Sequence, residues 1–122
     1  MGNEVLISFV IPCYRSEKTI GAVIGEIKQT MSQRPTYGYE IICVNDGSPD
    51  NVYEVLLNLA QGDKRLKLLN LAKNMGKHAA VMAGYSVAQG DYIVTLDDDC
   101  QCPVYELWQL LEPLEMNECD VA

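Results

Sequence analysis

Short apolar segments of strand length alternate along the chain with segments of helical periodicity, and this alternation limits the possible folds more than any other feature. The apolar segments cover residues 5–11, 40–44, 66–71 and 92–96. Segments that are apolar at nearly every position, rather than at alternate positions, are typical of strands buried on both faces. The pattern therefore predicts an α/β fold with a mostly parallel, doubly wound sheet.

The intervening segments have apolar residues at helical spacing, and their ends carry recognisable start and stop residues. Ser16 is expected to cap the first helix, after Pro12 has ended the first strand, and Pro49 or Asp50 is expected to open the second. The third helix is rich in small residues, and Gly84 is expected to allow close packing. The predicted helices cover residues 16–31, 50–60, 77–88 and 105–117.

Length and charge exclude several classes of protein. The 122 residues fit one domain. The chain has 17 acidic and 9 basic residues, for a net charge of −8, which argues against a nucleic-acid partner because a phosphate backbone attracts a basic surface. No apolar segment approaches the roughly 20 residues that a membrane-spanning helix needs.

Five cysteines form an odd set, and Cys13 and Cys43 lie in or beside apolar segments. This usage is typical of reduced thiols in a cytoplasmic chain rather than of a disulfide framework. Cys100 and Cys102 resemble half of a zinc site, but no second pair or histidine stands at a workable spacing.

Polar or unusual residues follow each predicted strand. In open parallel sheets, ligands bind beyond the carboxyl ends of the strands. The segments in these positions are residues 12–17, 45–50, 73–77 and 97–103. We therefore expect them to form one shared site.

The acidic sequence Asp97-Asp98-Asp99 is the most specific of these features. Adjacent carboxylates repel one another, and a divalent cation removes that repulsion. Along an extended segment Asp97, Asp99 and Gln101 would share one face, with Asp98 on the other. Oxygen ligands of this kind suit Mg²⁺ or Mn²⁺. The alternative is an exposed acidic turn that caps the next helix.

The other segments are individually less specific. The carboxylate of Asp46 can accept a hydrogen bond from a nucleotide base or a ribose hydroxyl, or it can form an Asx turn. Tyr14 can stack on a base, or it can be an ordinary half-buried tyrosine. Backbone amides at Lys77 and His78, at a predicted helix start, favour an anion. His78, the only histidine, fits a helix surface better than a catalytic base.

In their order along the chain these segments resemble glycosyltransferase family 2, which has the GT-A fold. The resemblance covers nearly the whole chain and is carried by a Pro-x-Tyr corner, an Asp-Gly-Ser segment, an Asn-x-Gly turn and an Asp-x-Asp segment. The Asp-x-Asp-x-Gln-x-Pro spacing and residues 76–84 are similar to dolichyl-phosphate and undecaprenyl-phosphate sugar transferases. The motifs lie in residues 7–14, 44–50, 74–77 and 96–103.

The resemblance implies transfer of a sugar from a nucleotide diphosphate donor to a polyprenyl phosphate, with Mg²⁺ or Mn²⁺ as cofactor. It implies metal ligands at Asp97, Asp99 and Gln101. The nucleotide-binding residues that it implies are Pro12, Tyr14, Ser16, Val44, Asp46 and Asp98. Three positions depart from the family pattern: Asn45 replaces a common aspartate, Asp98 replaces a small residue, and Cys102 replaces a residue that is often polar.

Catalytic domains of this family are longer than 122 residues. Residues 1–122 are therefore expected to be the nucleotide-sugar-binding part of one catalytic domain, a C-terminally truncated GT-A sheet that is inactive alone. The catalytic base and the lipid-phosphate acceptor site would lie outside it, and the longer protein would act at the cytoplasmic face of a membrane. An exposed sheet edge would favour self-association. The alternative is a noncatalytic nucleotide-binding or scaffolding module of the same fold.

Overall fold

The computed structural model describes residues 5–98, so the predicted helix at 105–117 and the candidate ligands Asp99 and Gln101 lie outside the described residues. Strands and helices alternate strictly, which confirms the predicted α/β class. The elements are β1 (Leu6–Cys13), α1 (Ile20–Ser32), β2 (Gly38–Asp46), α2 (Val52–Ala60), β3 (Leu66–Leu71), α3 (Lys77–Val87) and β4 (Tyr92–Thr95).

The four strands form one parallel sheet in the order β3-β2-β1-β4. The chain moves outward from β1 to β2 and β3, and then returns to the other side of β1 with β4. This reversal places a topological switch point between β1 and β4, and ligands of open α/β sheets bind beyond the carboxyl ends of the strands at such a point.

Helices cover both faces of the sheet, as the doubly wound prediction requires. Side chains alternate between the faces of a strand, so Ile7, Phe9 and Ile11 join the larger apolar core under α1 and α2. Val10 points to the opposite face and packs with Ala80 of α3 in a second, smaller core. The central strands are therefore buried on both sides, which explains their continuous apolar sequence.

Gly84 brings α3 close to the sheet, as predicted. A Cβ atom at this position would lie 2.5 Å from Cγ1 of Val10, which is far inside van der Waals contact. The absence of a side chain at Gly84 therefore fixes how closely α3 approaches β1, and this distance sets the position of the loop that precedes α3.

A buried carboxylate joins the strands near their amino ends. Glu40 is 5% exposed and accepts hydrogen bonds from Ser8 Oγ at 2.5 Å, Lys67 Nζ at 2.6 Å and the backbone N–H of Gln89 at 2.7 Å. Burial opposes ionisation and is the largest single effect, but these hydrogen bonds outweigh it, so the pKa of Glu40 lies below its ordinary value. Glu40 thus links β1, β2 and β3 to the segment after α3.

Several element boundaries differ from the sequence-based prediction. β2 extends beyond the predicted residues 40–44 at both ends, and the end of β1 and the start of α1 differ for identifiable reasons. β1 does not end at Pro12 but continues to Cys13. The backbone carbonyl of Val10 points toward β4, where it accepts a hydrogen bond from Leu96 N–H. The backbone groups of Pro12, two residues on, point in the same direction. Pairing with β4 ends at Thr95, so the missing proline N–H leaves no ladder bond unmade.

The first helix begins at Ile20 rather than after a Ser16 cap. The Ser16 carbonyl accepts the N–H groups of Thr19 and Ile20 in a turn, and Arg15 has a left-handed φ of 57°. Thr19 occupies the N-cap position, but its hydroxyl donates to the Asp98 carbonyl at 2.6 Å instead of capping its own helix. The predicted Ser16 cap is therefore absent, and the residue at the N-cap position instead contacts Asp98, which is distant in sequence.

Cys13 and Cys43, the two cysteines among the described residues, are free, buried thiols. Hydrogen bonding to the neighbouring Cys43 thiol, together with burial, raises the pKa of Cys13 well above its ordinary value. Within residues 5–98, no helix has both the length and the apolar character needed to cross a membrane.

Candidate functional site

An open cleft of about 380 Å³ lies at the carboxyl ends of the strands. Residues from all four of the segments singled out in the sequence line it, so the expectation of one shared location holds for the described residues. The lining residues are Pro12, Tyr14, Asp46, Asn74, Gly76, Lys77, Asp97 and Asp98.

Asp98 joins the two strands that flank the switch point. Its Oδ2 accepts a hydrogen bond from the backbone N–H of Tyr14 at 2.9 Å, and its backbone carbonyl accepts the Thr19 hydroxyl. The segment after β4 is thereby fastened to the loop after β1. Asp98 thus shapes the cleft in addition to lining it.

Tyr14 and Arg15 present an aromatic and cationic surface beside this link. Tyr14 is 40% exposed and lines the cleft. The Arg15 guanidinium carbon lies 5.4 Å from the centre of the Tyr14 ring, within the range of a cation–π contact. The Tyr14 ring is placed where an aromatic ligand can reach it.

Asp46 is almost fully buried and fastens the turn that precedes α3. Its Oδ1 accepts the backbone N–H of Met75 at 2.8 Å, and its Oδ2 lies 3.3 Å from Nδ2 of Asn74. Asn74 Nδ2 also donates to the Asp46 carbonyl at 3.1 Å. The carboxylate therefore holds Asn74 at the cleft wall while lining the cleft itself.

The turn after β2 is held by the neighbour of Asp46, through a side-chain hydrogen bond to the backbone three residues on. Asn45 Oδ1 accepts the backbone N–H of Ser48 at 3.2 Å, and Asn45 Nδ2 donates to Asn70 Oδ1 at 2.7 Å. Asn45, the residue that departs from the family pattern, thus supplies the turn that an aspartate could have supplied. The side chain of Asp46 is left to point toward the cleft.

Gly47 allows two cleft loops to approach closely. It has a left-handed φ of 62°, and a Cβ atom here would collide with the backbone of Lys73 and Asn74. A side chain at position 47 would therefore push the turn before α3 away from β2.

Asp97 forms an ion pair across the cleft. Its Oδ1 lies 2.7 Å from Nζ of Lys77, the first residue of α3. The Lys77 side chain and Asn74 are site residues that the sequence pattern did not predict, since only the backbone amide of Lys77 was expected to favour an anion. One feature could have pointed to the Lys77 side chain: a lysine is unfavourable at the positive end of a helix dipole unless an anion lies nearby.

Of the three predicted metal ligands, Asp97 lies within the described residues. No group of three or more His, Cys, Asp or Glu side chains in residues 5–98 is placed to hold a metal ion. The Asp97 carboxylate nevertheless faces the cleft and pairs with a cationic group there. A hard oxygen donor in this position fits Mg²⁺ or Mn²⁺.

Two predicted nucleotide residues do not line the cleft. Val44 is fully buried in the small core beneath α3. Ser16 is 4% exposed, and its hydroxyl has no hydrogen-bond partner among the described residues. Neither side chain is exposed on the cleft wall, so any influence on a ligand would be indirect.

The family of the chain follows from comparison with known proteins. A model of Glycosyl transferase family 2 matches residues 8–122. The chain is 38% identical over 112 residues to a dolichyl-phosphate beta-glucosyltransferase of Trichomonas vaginalis, and 38% identical over 109 residues to an undecaprenyl-phosphate 4-deoxy-4-formamido-L-arabinose transferase of Aeromonas hydrophila. Each match covers 88% of this chain and 33% of the relative. The chain therefore spans about a third of the length of these relatives.

Solved structures share the fold. A mannosyltransferase of Pyrobaculum calidifontis, in complex with GDP-Man and Mn²⁺, gives a TM-score of 0.72 at 20% identity, over 86% of this chain and 30% of the other. Glucosyl-3-phosphoglycerate synthase of Mycobacterium tuberculosis, with Mn²⁺ and UDP, gives 0.67 at 25% identity, over 90% and 39%. The fold is thus that of the GT-A glycosyltransferases. By its sequence and its fold, the chain belongs to glycosyl transferase family 2.

Proposed function

We propose that this chain binds the nucleotide diphosphate sugar donor of a polyprenyl-phosphate glycosyltransferase, with the help of a divalent cation. One observation carries the proposal. Tyr14, Asp46, Asp97 and Asp98 line a single cleft at the switch point of the sheet, the place where open α/β sheets bind ligands.

The known complexes and relatives support the class of donor and acceptor. The two structural neighbours contain GDP-Man or UDP together with Mn²⁺, and the relatives are named for transfer to dolichyl or undecaprenyl phosphate. We extend these properties to the protein that contains this chain. Residues 1–122 then form the nucleotide-sugar-binding part of its catalytic domain.

The aromatic and acidic residues of the cleft contact different parts of the nucleoside. The exposed Tyr14 ring stacks on the base beside Pro12, and Asp46 accepts a hydrogen bond from the base or the ribose. Asp98 faces the ribose while its Oδ2 continues to accept the hydrogen bond from the Tyr14 N–H. Ser16 and Val44 support this wall from beneath.

The diphosphate lies on the acidic side of the cleft. Asp97, with Asp99 and Gln101, holds the divalent cation that neutralises the leaving diphosphate during sugar transfer. Asp97 already has its carboxylate directed into the cleft. This role needs the ammonium group of Lys77 to move away from Asp97, because the two groups now lie 2.7 Å apart.

The acceptor-binding site lies in the part of the protein outside this chain. The chain corresponds to about a third of its relatives, and the described part of the cleft offers no histidine to act as a base. We place the catalytic base and the lipid-phosphate site in the other two thirds. Because the acceptor is a lipid, the whole protein works at the cytoplasmic face of a membrane.

Isothermal titration with UDP and GDP, each with and without Mn²⁺, tests the proposal. We expect one nucleotide to bind only when Mn²⁺ is present, and its binding to be lost in Asp99→Ala. Binding of neither nucleotide by a folded chain, or equal binding without Mn²⁺ and in Asp99→Ala, contradicts the proposal. Absence of binding would instead favour the scaffolding module.

A further inference from the structure

The Lys77–Asp97 ion pair is too exposed to solvent to contribute much to the stability of the fold. The side chains of Lys77 and Asp97 are 65% and 37% exposed, and an exposed ion pair contributes little because solvent and salt screen it. Lys77 also stands at the first position of α3, where the helix dipole disfavours a cation. The helix dipole therefore opposes the small stabilisation that this ion pair gives.

The surroundings of Lys77 fit an anionic ligand. Lys77 lines the cleft together with Asp46, Asp97 and Asp98, and it is the cationic residue among the lining residues that the structure describes. A nucleotide diphosphate that enters this cleft meets carboxylates that repel it. The Lys77 ammonium, at the positive end of α3, is the group that attracts it.

We infer that Lys77 is a positioning residue that exchanges partners: it holds Asp97 in the ligand-free chain and transfers its ammonium group to the donor diphosphate when a cation occupies Asp97. This inference rests on the proposed function. In the ligand-free state, Lys77 neutralises a carboxylate whose charge would otherwise face other carboxylates. In the loaded state, Lys77 is repelled by the cation and attracted to the phosphate oxygens within the same cleft.

The exchange has a distinctive consequence for binding. Lys77 competes with a cation for Asp97, so it weakens the binding of the cation alone. The same side chain strengthens the binding of the nucleotide once the cation is present. Removing Lys77 should therefore change the two affinities in opposite directions, whereas a merely structural residue would lower both or neither.

Two titrations on the full chain test this inference. Free Mn²⁺ is followed by its electron paramagnetic resonance signal, and UDP and GDP are then titrated calorimetrically at saturating Mn²⁺. In Lys77→Met we expect Mn²⁺ alone to bind about threefold more tightly, as loss of an exposed competing ion pair implies. We expect the nucleotide to bind about tenfold more weakly, as loss of a charge-assisted hydrogen bond implies.

Controls separate the possible outcomes. Lys64→Met changes an exposed lysine in the segment before β3, at the amino ends of the strands, and should leave both affinities unchanged. Lys77→Arg retains the charge and should restore most of the nucleotide affinity. If wild type binds Mn²⁺ and nucleotide but Lys77→Met shifts both affinities in one direction or neither, the inference is wrong. If wild type binds neither UDP nor GDP, the proposed function itself fails, and the inference fails with it.

Discussion

The Asp98 carboxylate accepts the backbone N–H of Tyr14 at 2.9 Å, and so joins residues 84 positions apart across the switch point between β1 and β4. The opposite end of the same strand pair has a matching contact: Asp91 Oδ2 accepts the backbone N–H of Leu6, also at 2.9 Å. One aspartate thus closes each end of the β1–β4 pair, but only Asp98 lines the cleft.

Asp98→Ala and Asp91→Ala form a matched pair of variants. Each removes one carboxylate acceptor for a backbone N–H, so each should lower the free energy of unfolding by about 1 kcal/mol. Only Asp98→Ala should also weaken Mn²⁺-dependent nucleotide binding, by about tenfold, because it frees the Tyr14 loop and removes the proposed ribose contact. Urea unfolding and calorimetry measure the two effects. Equal loss of nucleotide affinity in both variants would contradict a local role for Asp98.

Gly47→Ala should destabilise the cleft loops. The added methyl group collides with the backbone of Lys73 and Asn74, and the left-handed φ of 62° is itself unfavourable for alanine. We expect a loss of about 2–4 kcal/mol in the free energy of unfolding.

Gly25→Ala is the control for Gly47→Ala. Gly25 lies within α1, and a Cβ atom there would meet nothing within 4 Å. This variant should gain up to about 1 kcal/mol from helix propensity. A Gly47→Ala chain as stable as wild type would show that β2 and the turn before α3 do not approach as described.

Glu40 should make stability depend on pH. Because the folded pKa lies below the ordinary value, the contribution is fully present above the unfolded pKa and is lost as pH falls through the folded pKa. Glu40→Gln should cost about 1–3 kcal/mol at neutral pH, since Lys67 and the Gln89 N–H lose a charged partner. Its free energy of unfolding should also fall less steeply than that of wild type when pH is lowered from about 7 to about 3.

The exposed Glu54 provides the control for Glu40. Glu54→Gln should retain the wild-type slope of stability against pH. Asp50 and Asp63 also have lowered pKa values. Burial is the largest single effect on the pKa of Asp50, but hydrogen bonds from Ser48 and backbone amides together outweigh it. The pKa of Asp63 is lowered mainly by its hydrogen bond with Lys28. Some acid sensitivity should therefore remain in Glu40→Gln, and identical acid slopes for Glu40→Gln and wild type would contradict the role of Glu40.

The sheet could be predicted because its determinants are local in sequence. Buried parallel strands are apolar along their length, and β3 was predicted with its observed bounds. Gly84 was predicted to pack closely because a glycine within an apolar helix suggests a near neighbour, and Val10 is that neighbour. Asp46, Asp97 and Asp98 were placed at one edge by the topology of parallel strands alone.

What escaped prediction depends on contacts between distant segments. At the start of α1, the Thr19 hydroxyl donates to the Asp98 carbonyl instead of capping α1. Asn74 reaches the cleft because Asp46 binds the turn that contains it. The family resemblance implies that Val44 and Asp46 both lie near the nucleotide. Their side chains share one face of β2, but α3 covers Val44, whereas Asp46 at the end of the strand lines the cleft.

The location of Mn²⁺ and nucleotide in the cleft is the central claim, and nuclear magnetic resonance of the chain tests it most directly. Mn²⁺ broadens the signals of nearby nuclei. With the bound nucleotide, we expect Mn²⁺ to broaden the amide signals of Tyr14, Lys77 and Asp98, and to spare Gly62 and Lys64 at the amino ends of the strands. Broadening at Gly62 and Lys64 with the cleft amides unaffected, or no site-specific broadening at all, would contradict the account.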